Sequence, residues 1–512
     1  MMKILDCTFR DGGYYTNWNF DRRLTDIYFK SFNDLPVDYL EIGYRCNPGL
    51  DFYGEYYYCP PYVLERIQSI SNKKLVIMLD AKNLKKEQIR ELLKPCVGLV
   101  TMIRLAVDPK NFERALILAE EVKSMGFEIG FNVMYMSTWK NEKVFLNSIK
   151  YIEGIANYFY MVDSFGGVYP NDVKETIDIV RSRVNTTLGF HGHNNLELAL
   201  VNSLTAIENG VEIIDSTISG IGRGAGNLKT ELLLTVLNSL NGLEVDFNAL
   251  CKVSDLFEVL QKEHGWGTNI PYMVSAANSL PQKEVMEWVS KRYYSYNSII
   301  RALQNKKGGI EDNLKFKILK NDIISQDVLI IGGGESVIAH SEALVEFLKK
   351  RPEITIIHAS SKNAKPFIEL TNKQIFCLVG NEGHRLEDVF QVYKGINYSC
   401  VLPPYPREMG TYVPHSVINC TSELESVDFT KFRIFSHTSL AIQTAINLGA
   451  RKVLVAGYDG YSGDKIAEKE QELFIENDQL FFDAQKNEIE FYSITPSKYK
   501  HLKAKSIYGM LI

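Results

Sequence analysis

Within roughly the first 230 residues, short apolar or β-branched runs alternate eight times with segments of helical period. The runs are "KILDCTF", "DYLEIGY", "KLVIMLD", "GLVTMIRLAV", "FEIGFNVMYM", "YFYMVDSF", "TTLGFHGH" and "EIIDSTISG". Between them lie amphipathic stretches such as "KKEQIRELLKP", "NFERALILAEEVKSMG" and "NDVKETIDIVRSRV". Eight consecutive β/α units predict an α/β fold of the (β/α)₈ barrel type. An open doubly wound sheet is the alternative. The even count and the polar residues at successive strand ends favour closure.

Those polar residues gather where a barrel keeps its chemistry, at the C-terminal ends of the strands. The first run ends in Arg10 and Asp11, the second in Glu41 and Tyr44. Arg104, Asn132, Asp163 and Ser164 follow on the fourth, fifth and sixth runs. The seventh ends in "FHGH", with His191 and His193 one residue apart. Alternate strand residues point the same way, so both imidazoles face one side. Two ordinary polar residues at a strand end would satisfy that pattern. Two imidazoles sharing a divalent ion, with Asp11 as an anionic third ligand, satisfy it as well and leave coordination positions open for a substrate. The convergence of so many polar strand ends on one mouth favours the metal. After the eighth run, "GIGRGAGNLKTE" either offers backbone N–H groups to an anion or only permits a tight turn. Arg223 suits a carboxylate or phosphate, and equally an unremarkable surface position.

The net charge of −5 disfavours a nucleic-acid or membrane-surface protein. The start, "MMKILDCTFRDGGYY", lacks the pattern of a signal peptide, and no segment approaches the ~20 apolar residues of a membrane span. Eight cysteines are scattered without C-x-x-C spacing, which suits reduced thiols in a cytoplasmic protein. The tyrosine-rich stretch "DFYGEYYYCPPYV" reads as a loop or an interface patch.

The three motifs "LDCTFRDGGY", "FHGHNNLELAL" and "GIGRGAGNLKTE", in this order, resemble the DRE-TIM metallolyase superfamily. The nearest flavour is the 4-hydroxy-2-oxovalerate aldolase group, related to hydroxymethylglutaryl-CoA lyase and isopropylmalate synthase. The resemblance covers about residues 1–305, with "WGTNIPYMVSAANS" similar to the helical segment behind the aldolase barrel. It implies that Asp11, His191 and His193 bind Mn²⁺ or Mg²⁺, that Arg10 lies beside the ion, and that Asn227 completes the metal sphere. Where the aldolases place a catalytic histidine this chain has Tyr14, and their later tyrosine matches Tyr272.

The chemistry fits these parts. Cleaving or forming a C–C bond beside a 2-oxo acid requires an enolate, stabilised by a metal as Lewis acid and by Arg10. Tyr14, Tyr272 or a metal-bound water is left as the proton carrier; a tyrosine, with an ordinary pKa near ~10, needs its phenolate stabilised to act as a base. Glu41 and Asp163 read as orienting or structural groups.

The pattern then restarts: "DVLIIGGGESVIAHSEALVEFLKK", "ITIIHAS", "QIFCLVG" and "RKVLVAGYDG" read as a Rossmann-like domain. Gly332, Gly333, Gly334 and Ser336 are candidates for contacting a nucleotide. Val337 occupies the third glycine position of the dinucleotide fingerprint and "ITIIHAS" ends without an acidic residue, which disfavours NAD. Cys377, Cys400 and Cys420 read as small buried residues and not as a dehydrogenase thiol. "FSHTSLAIQTAINLGARKVLVAGYDG" weakly resembles the Rossmann-type domains of bacterial sialyltransferases, with His437 either catalytic or a helix-capping residue. The expected organisation is a metal-dependent aldolase barrel over 1–240, a helical extension over 241–310 and a Rossmann-like domain over 325–512. The expected activity is cleavage or formation of a 4-hydroxy-2-oxo acid from a 2-oxo acid, pyruvate, and an aldehyde, in a surface-glycan setting. A Claisen-type acyl-CoA synthase or lyase, or a degenerate barrel serving as a scaffold, are the alternatives. The sequence leaves room for a homo-oligomer without specifying one.

Overall fold

A computed structural model of the chain describes residues 2–82, 84–290, 294–310, 314–319, 327–380, 382–390, 398–407, 412–461, 468–486 and 489–512. They divide into two compact units, Met1–Glu287 and Trp288–Ile512. In the first unit eight parallel strands close into a barrel: β1 (Lys3–Asp6), β2 (Tyr39–Tyr44), β3 (Lys74–Asp80), β4 (Met102–Val107), β5 (Glu128–Val133), β6 (Tyr158–Asp163), β7 (Thr187–Gly192) and β8 (Ile213–Ser216). The ring closes where Ile213–Ser216 run beside Lys3–Asp6. Closure leaves no unpaired strand edge.

The two-residue period of each strand sorts its side chains into two sets. Ile4, Leu40, Ile103, Phe159, Phe190 and Ile214 join the large core between barrel and helices. Leu5, Tyr39, Met102, Tyr158, Tyr160 and Ile213 form a separate cluster inside the barrel. Continuing that inward parity toward the C-terminal ends reaches Glu41, Arg104, Asn132, His191 and Asp215, all buried. The apolar cluster therefore floors the barrel, and a polar layer lies on top of it.

Two glycines make room for that layer. A Cβ added at Gly189 would stand 2.4 Å from Tyr160 Cδ1, and one at Gly130 3.0 Å from Arg104 Cγ. The space lets the Arg104 guanidinium lie 3.9 Å from the Tyr160 ring centroid, a cation–π contact.

Two boundaries differ from the sequence expectation. β1 stops at Asp6, whose Oδ1 accepts from the Thr8 amide (2.9 Å) and the Tyr28 hydroxyl (2.6 Å). This local side-chain bond replaces the strand ladder and turns the chain into the helix Thr8–Thr16. Arg10 and Asp11 thus sit on a helix and not at a strand end. β7 stops at Gly192, so His193 is the first residue beyond it. The helices expected over 241–310 are divided: Phe247–His264 and Ile270–Ala277 fall in the first unit, Tyr296–Lys307 in the second.

Among its described residues, the second unit forms a nine-stranded parallel sheet. Its strands are β9 (Lys317–Ile318), β10 (Asp327–Ile331), β11 (Thr355–His358), β12 (Gln374–Cys377), β13 (Tyr398–Leu402), β14 (Thr421–Glu423), β15 (Lys452–Ala456), β16 (Glu490–Ser493) and β17 (Lys503–Ala504). The order is β17-β16-β15-β10-β11-β12-β13-β14-β9. Val328 and Ile330 pack into one core with the helix His437–Asn447, while Leu329 and Ile331 pack into another with the helix Ser341–Lys349. Helices therefore cover both faces, as in a Rossmann-like sheet. No helix among the described residues is long and apolar enough to cross a membrane.

The fit around Gly189 yields a test. Gly189→Ala forces a methyl against the Tyr160 ring and is expected to lower stability by about 1–3 kcal/mol, read as a lower urea midpoint. An unchanged midpoint would show that Tyr160 moves freely inside the barrel.

Candidate active site

The helix Thr8–Thr16 starts over the barrel mouth and carries Arg10, Asp11 and Tyr14. Their spacing of three and four residues puts Tyr14 one turn above the other two on one helix face. Arg10 Nη1 bonds Asp11 Oδ1, and Arg10 Nε donates to Glu41 Oε2 at 2.8 Å. The third terminal nitrogen, Arg10 Nη2, is buried without an acceptor. Burial lifts the Asp11 carboxyl, but Arg10, the two neighbouring histidines and the Asn227 hydrogen bond together outweigh it and hold Asp11 below the ordinary carboxylate range.

Below this pair lies a buried ion network. Arg104 Nη1 donates to Glu41 Oε2 (3.0 Å), and its Nη2 donates to Asn132 Oδ1 (2.5 Å) and Asp215 Oδ2 (2.6 Å). Asp215 Oδ2 also lies 2.8 Å from His191 Nδ1. The strand-end reading did not single out Asp215, although its inward parity with Ile213 in β8 is the signal that finds it.

Both histidines are held through Nδ1. His191 is held by Asp215, and His193 by the Asp163 carbonyl at 2.6 Å. Each ring then presents Nε2 as its remaining ligand atom, the arrangement metal-binding histidines use. His191 Nε2 lies 3.7 Å from Asp11 Oδ2, and the two imidazole centroids are 5.0 Å apart. Burial lowers the pKa of both, that of His191 well below the ordinary histidine value, so they are neutral as ligands must be. Asn227, carried by the loop after β8, donates Nδ2 to Asp11 Oδ2 at 2.7 Å. Its Oδ1 is buried without a hydrogen-bond partner.

Among the described residues, ligand atoms of Cys7, Asp11 and His191 all lie within 4.8 Å of one another. Burial pushes the Cys7 thiol well up, and its Sγ lies 3.5 Å from Asp11 Oδ2 and 3.4 Å from the Ser216 carbonyl, so it donates as a neutral thiol. Cys7 was read only as a scattered thiol, and its inward parity with Leu5 was the missed signal. Neutral imidazoles, an ionised carboxylate and an amide oxygen without a donor fit a divalent cation of the oxygen- and nitrogen-preferring kind.

The tyrosines part company. The Tyr14 hydroxyl lies 3.3 Å from that of Tyr44, and the Arg223 guanidinium sits 4.5 Å from the Tyr14 ring centroid. Tyr272 is buried in the helix Ile270–Ala277, its ring edge facing Gly224 in the loop that carries Asn227. Its position supports that loop.

In the second unit, Gly332, Gly333 and Gly334 follow β10 at the point where the strand order reverses, between β10 and β15. They border a cavity of about 700 Å³ that also touches Lys362, Arg385 and His437. Ser336 N–H donates to Asp459 Oδ2 at 2.9 Å and its hydroxyl bonds Asp459 Oδ1. A phosphate on those two donors would have to displace a carboxylate of the chain itself. The buried Glu382 carboxylate accepts from the amide and hydroxyl of Ser361 (2.8 and 2.7 Å) and faces His437 Nε2 at 3.6 Å.

A pH test follows from the residue that holds His193. Burial pushes the Asp163 carboxyl from 3.8 up to about 6, against bonds from the Gly167 and Val168 amides. A carboxyl whose folded pKa exceeds its unfolded one stabilises most below the lower value, and that contribution is lost as pH rises through the higher. Between about pH 4 and pH 6 the wild type should lose stability relative to Asp163→Asn, followed as the difference in urea midpoints. A difference that moves the other way would mean that the loop amides hold the ionised form.

The HMGL-like family model matches residues 1–257. The 4-hydroxy-2-oxovalerate aldolase of Bacillus thuringiensis (strain Al Hakam) is 28% identical over 269 residues, spanning 50% of this chain and 75% of that protein. The enzyme of that name from Pelotomaculum thermopropionicum is 30% identical over 273 residues, 51% of this chain and 76% of its own. The crystal structure of the N-terminal domain of a candidate aldolase from Bacteroides vulgatus superposes with a TM-score of 0.57 at 54% identity, covering 59% of this chain and all of that one. The three motifs thus lie on a closed barrel, around one mouth, within the span of that family model, and the chain belongs to the HMGL-like family, in the DRE-TIM group its motifs resemble.

Proposed function

We propose that the barrel is a carbon–carbon lyase, an aldolase that joins pyruvate to an aldehyde, or cleaves the resulting 4-hydroxy-2-oxo acid. The observation that carries the reading is the buried Arg10 Nη2, an N–H donor without an acceptor beside Asp11. Keeping a charged donor buried and unsatisfied is costly, and an oxyanion developing on a bound 2-oxo acid supplies its missing partner. The names of the aldolase relatives support the same chemistry.

Asp11, His191 and His193 would hold a divalent ion, Mn²⁺ or Mg²⁺, with Asn227 Oδ1 as a further ligand; when bound it polarises the ketone as a Lewis acid. Arg10, fixed by Glu41, places its guanidinium against the enolate oxygen. Tyr14 carries the proton at the reacting end, with Tyr44 as its hydrogen-bond partner and the Arg223 guanidinium over its ring. In the synthetic direction a methyl C–H bond of pyruvate breaks and its carbon bonds to the aldehyde carbon. The aldehyde oxygen takes up a proton, so every atom of both reactants is kept.

The test is loss of the pyruvate methyl proton signal in D₂O, followed by NMR with Mn²⁺ present. Wild type should exchange in a metal-dependent manner, and His191→Ala and Asp11→Asn should lose at least a hundredfold in rate, on the order of 2.7 kcal/mol of barrier. No exchange in folded, metal-loaded wild type would remove pyruvate as the nucleophile and leave acyl-CoA chemistry or a scaffold.

For the second unit we propose a nucleotide-binding crevice. Its support is its place at the strand-order reversal, where open parallel sheets take ligands, and the open face of Gly333 beside Lys362. Calorimetric titration with nucleoside mono- and diphosphates should give binding that Lys362→Ala weakens at least tenfold. Absence of heat for every nucleotide would overturn it.

A further inference from the structure

The barrel unit holds a cavity of about 500 Å³ whose lining includes Tyr14 and Tyr44. Tyr14, one turn from Arg10 and Asp11 on the same helix, lines it together with Tyr44, and the two hydroxyls lie 3.3 Å apart. The cavity therefore adjoins the place where the new bond forms.

Its wall is built for rings. Gly13 has no side chain, and an added Cβ would stand 2.1 Å from the Trp18 indole. The indole lies on the bare helix backbone, and its Nε1 donates to the Arg10 carbonyl at 2.9 Å. The tyrosine-rich stretch then crosses over. The Gly54 amide donates to the Asn17 carbonyl (2.8 Å), and Tyr53, Tyr57 and Trp18 pack ring to ring, with centroids 4.3 Å apart for Tyr53–Tyr57 and 4.8 Å for Trp18–Tyr57. Tyr57 also approaches Tyr44, at 5.9 Å. Of the tyrosine-rich stretch, Tyr53 and Tyr57 belong to this wall.

The charge balance of the lining is zero. Arg45 and Asp80 are the two charged residues among those that line it. Arg45 donates to the carbonyls of Leu92, Tyr58 and Cys59, and Asp80 Oδ1 accepts from the Lys82 amide. What remains for a ligand is aromatic surface together with phenol hydroxyls and the amides of Asn17 and Asn47. A purely apolar guest would leave those polar groups unpaired, and an anion would face the Asp80 carboxylate as well as an Arg45 whose Nε and Nη1 are already given to backbone carbonyls.

We propose that this cavity receives the aldehyde partner of the reaction, and that the partner is an uncharged, polyhydroxylated aldehyde of sugar type, its carbon skeleton against the rings and its hydroxyls on the phenols and amides. The proposal rests on the pyruvate-aldolase reading and adds the class of its second substrate.

The experiment uses the full chain with Mn²⁺, pyruvate and five aldehydes: erythrose, glyceraldehyde, glyceraldehyde 3-phosphate, acetaldehyde and benzaldehyde. Aldol formation with erythrose or glyceraldehyde should exceed the other three at least tenfold in kcat/KM. Preference for the phosphorylated, the small or the aromatic aldehyde would overturn the proposal. Tyr53→Leu and Tyr57→Leu should raise the aldehyde KM about tenfold while the pyruvate KM moves less than twofold, with folding checked by circular dichroism. A fall in kcat at unchanged aldehyde KM would also count against it. The same samples are titrated with erythritol, read by Trp18 fluorescence against a Trp18→Phe control. If methyl exchange is absent the aldolase reading fails, and the polyol titration still decides the cavity: saturable quenching supports it, and none overturns it.

Discussion

The barrel mouth depends on one buried cation. Arg104 is fully buried and touches Glu41, Asn132, Asp215 and the Tyr160 ring at once. Two of those partners reach onward: Glu41 fixes Arg10, and Asp215 fixes His191. Removing one side of such a buried pair costs about 3–5 kcal/mol, because the partner charge is left stranded in a medium that cannot solvate it. The network contributes orientation more than net stability. It places an arginine and a neutral imidazole on opposite sides of Asp11 before any substrate arrives, which is the preorganisation that makes charge stabilisation effective.

The same economy of space governs the layer beneath. A barrel of eight strands is filled by side chains, so a guanidinium and a phenol can occupy its centre only where neighbours withdraw. Gly130 and Gly189 provide that withdrawal. The apolar floor of Leu5, Met102 and Ile213 keeps water from reaching the ion network from below. Polar satisfaction is incomplete at the mouth: Glu41 Oε1, Arg104 Nε, Asp215 Oδ1 and the Tyr160 hydroxyl are buried without a partner, and two further such atoms flank Asp11. Arg10 Nη2 and Asn227 Oδ1 are a donor and an acceptor on either side of Asp11. A guest cation and a developing oxyanion would satisfy the acceptor and the donor respectively.

Much of this was legible in the chain alone. The alternation of apolar runs and helical stretches implied the barrel, because period two and period 3.6 are written locally. Parity along β7 placed His191 and His193 on one side, and the motifs around Arg10, Asp11 and Asn227 marked the mouth. In the second unit the strand–glycine–helix opening implied a parallel sheet, and both of its faces are indeed covered.

Partnership was not legible. Arg104 and Asp215 lie 111 residues apart, and Asn227 and Asp11 lie 216 apart. The sequence says which way each side chain points, and only closure of the ring says what it meets. Cys7 looked like a stray thiol until β8 brought the Ser216 carbonyl beside it. Ser336 looked ready for a phosphate until the loop after β15 brought Asp459 to it. Tyr53 and Tyr57 became a wall only because Gly13 let the Trp18 indole lie against the helix backbone. Local period is a property of neighbouring residues and survives in any sequence reading. Charge pairing and cavity shape arise from residues that the chain separates, so the fold alone decided them.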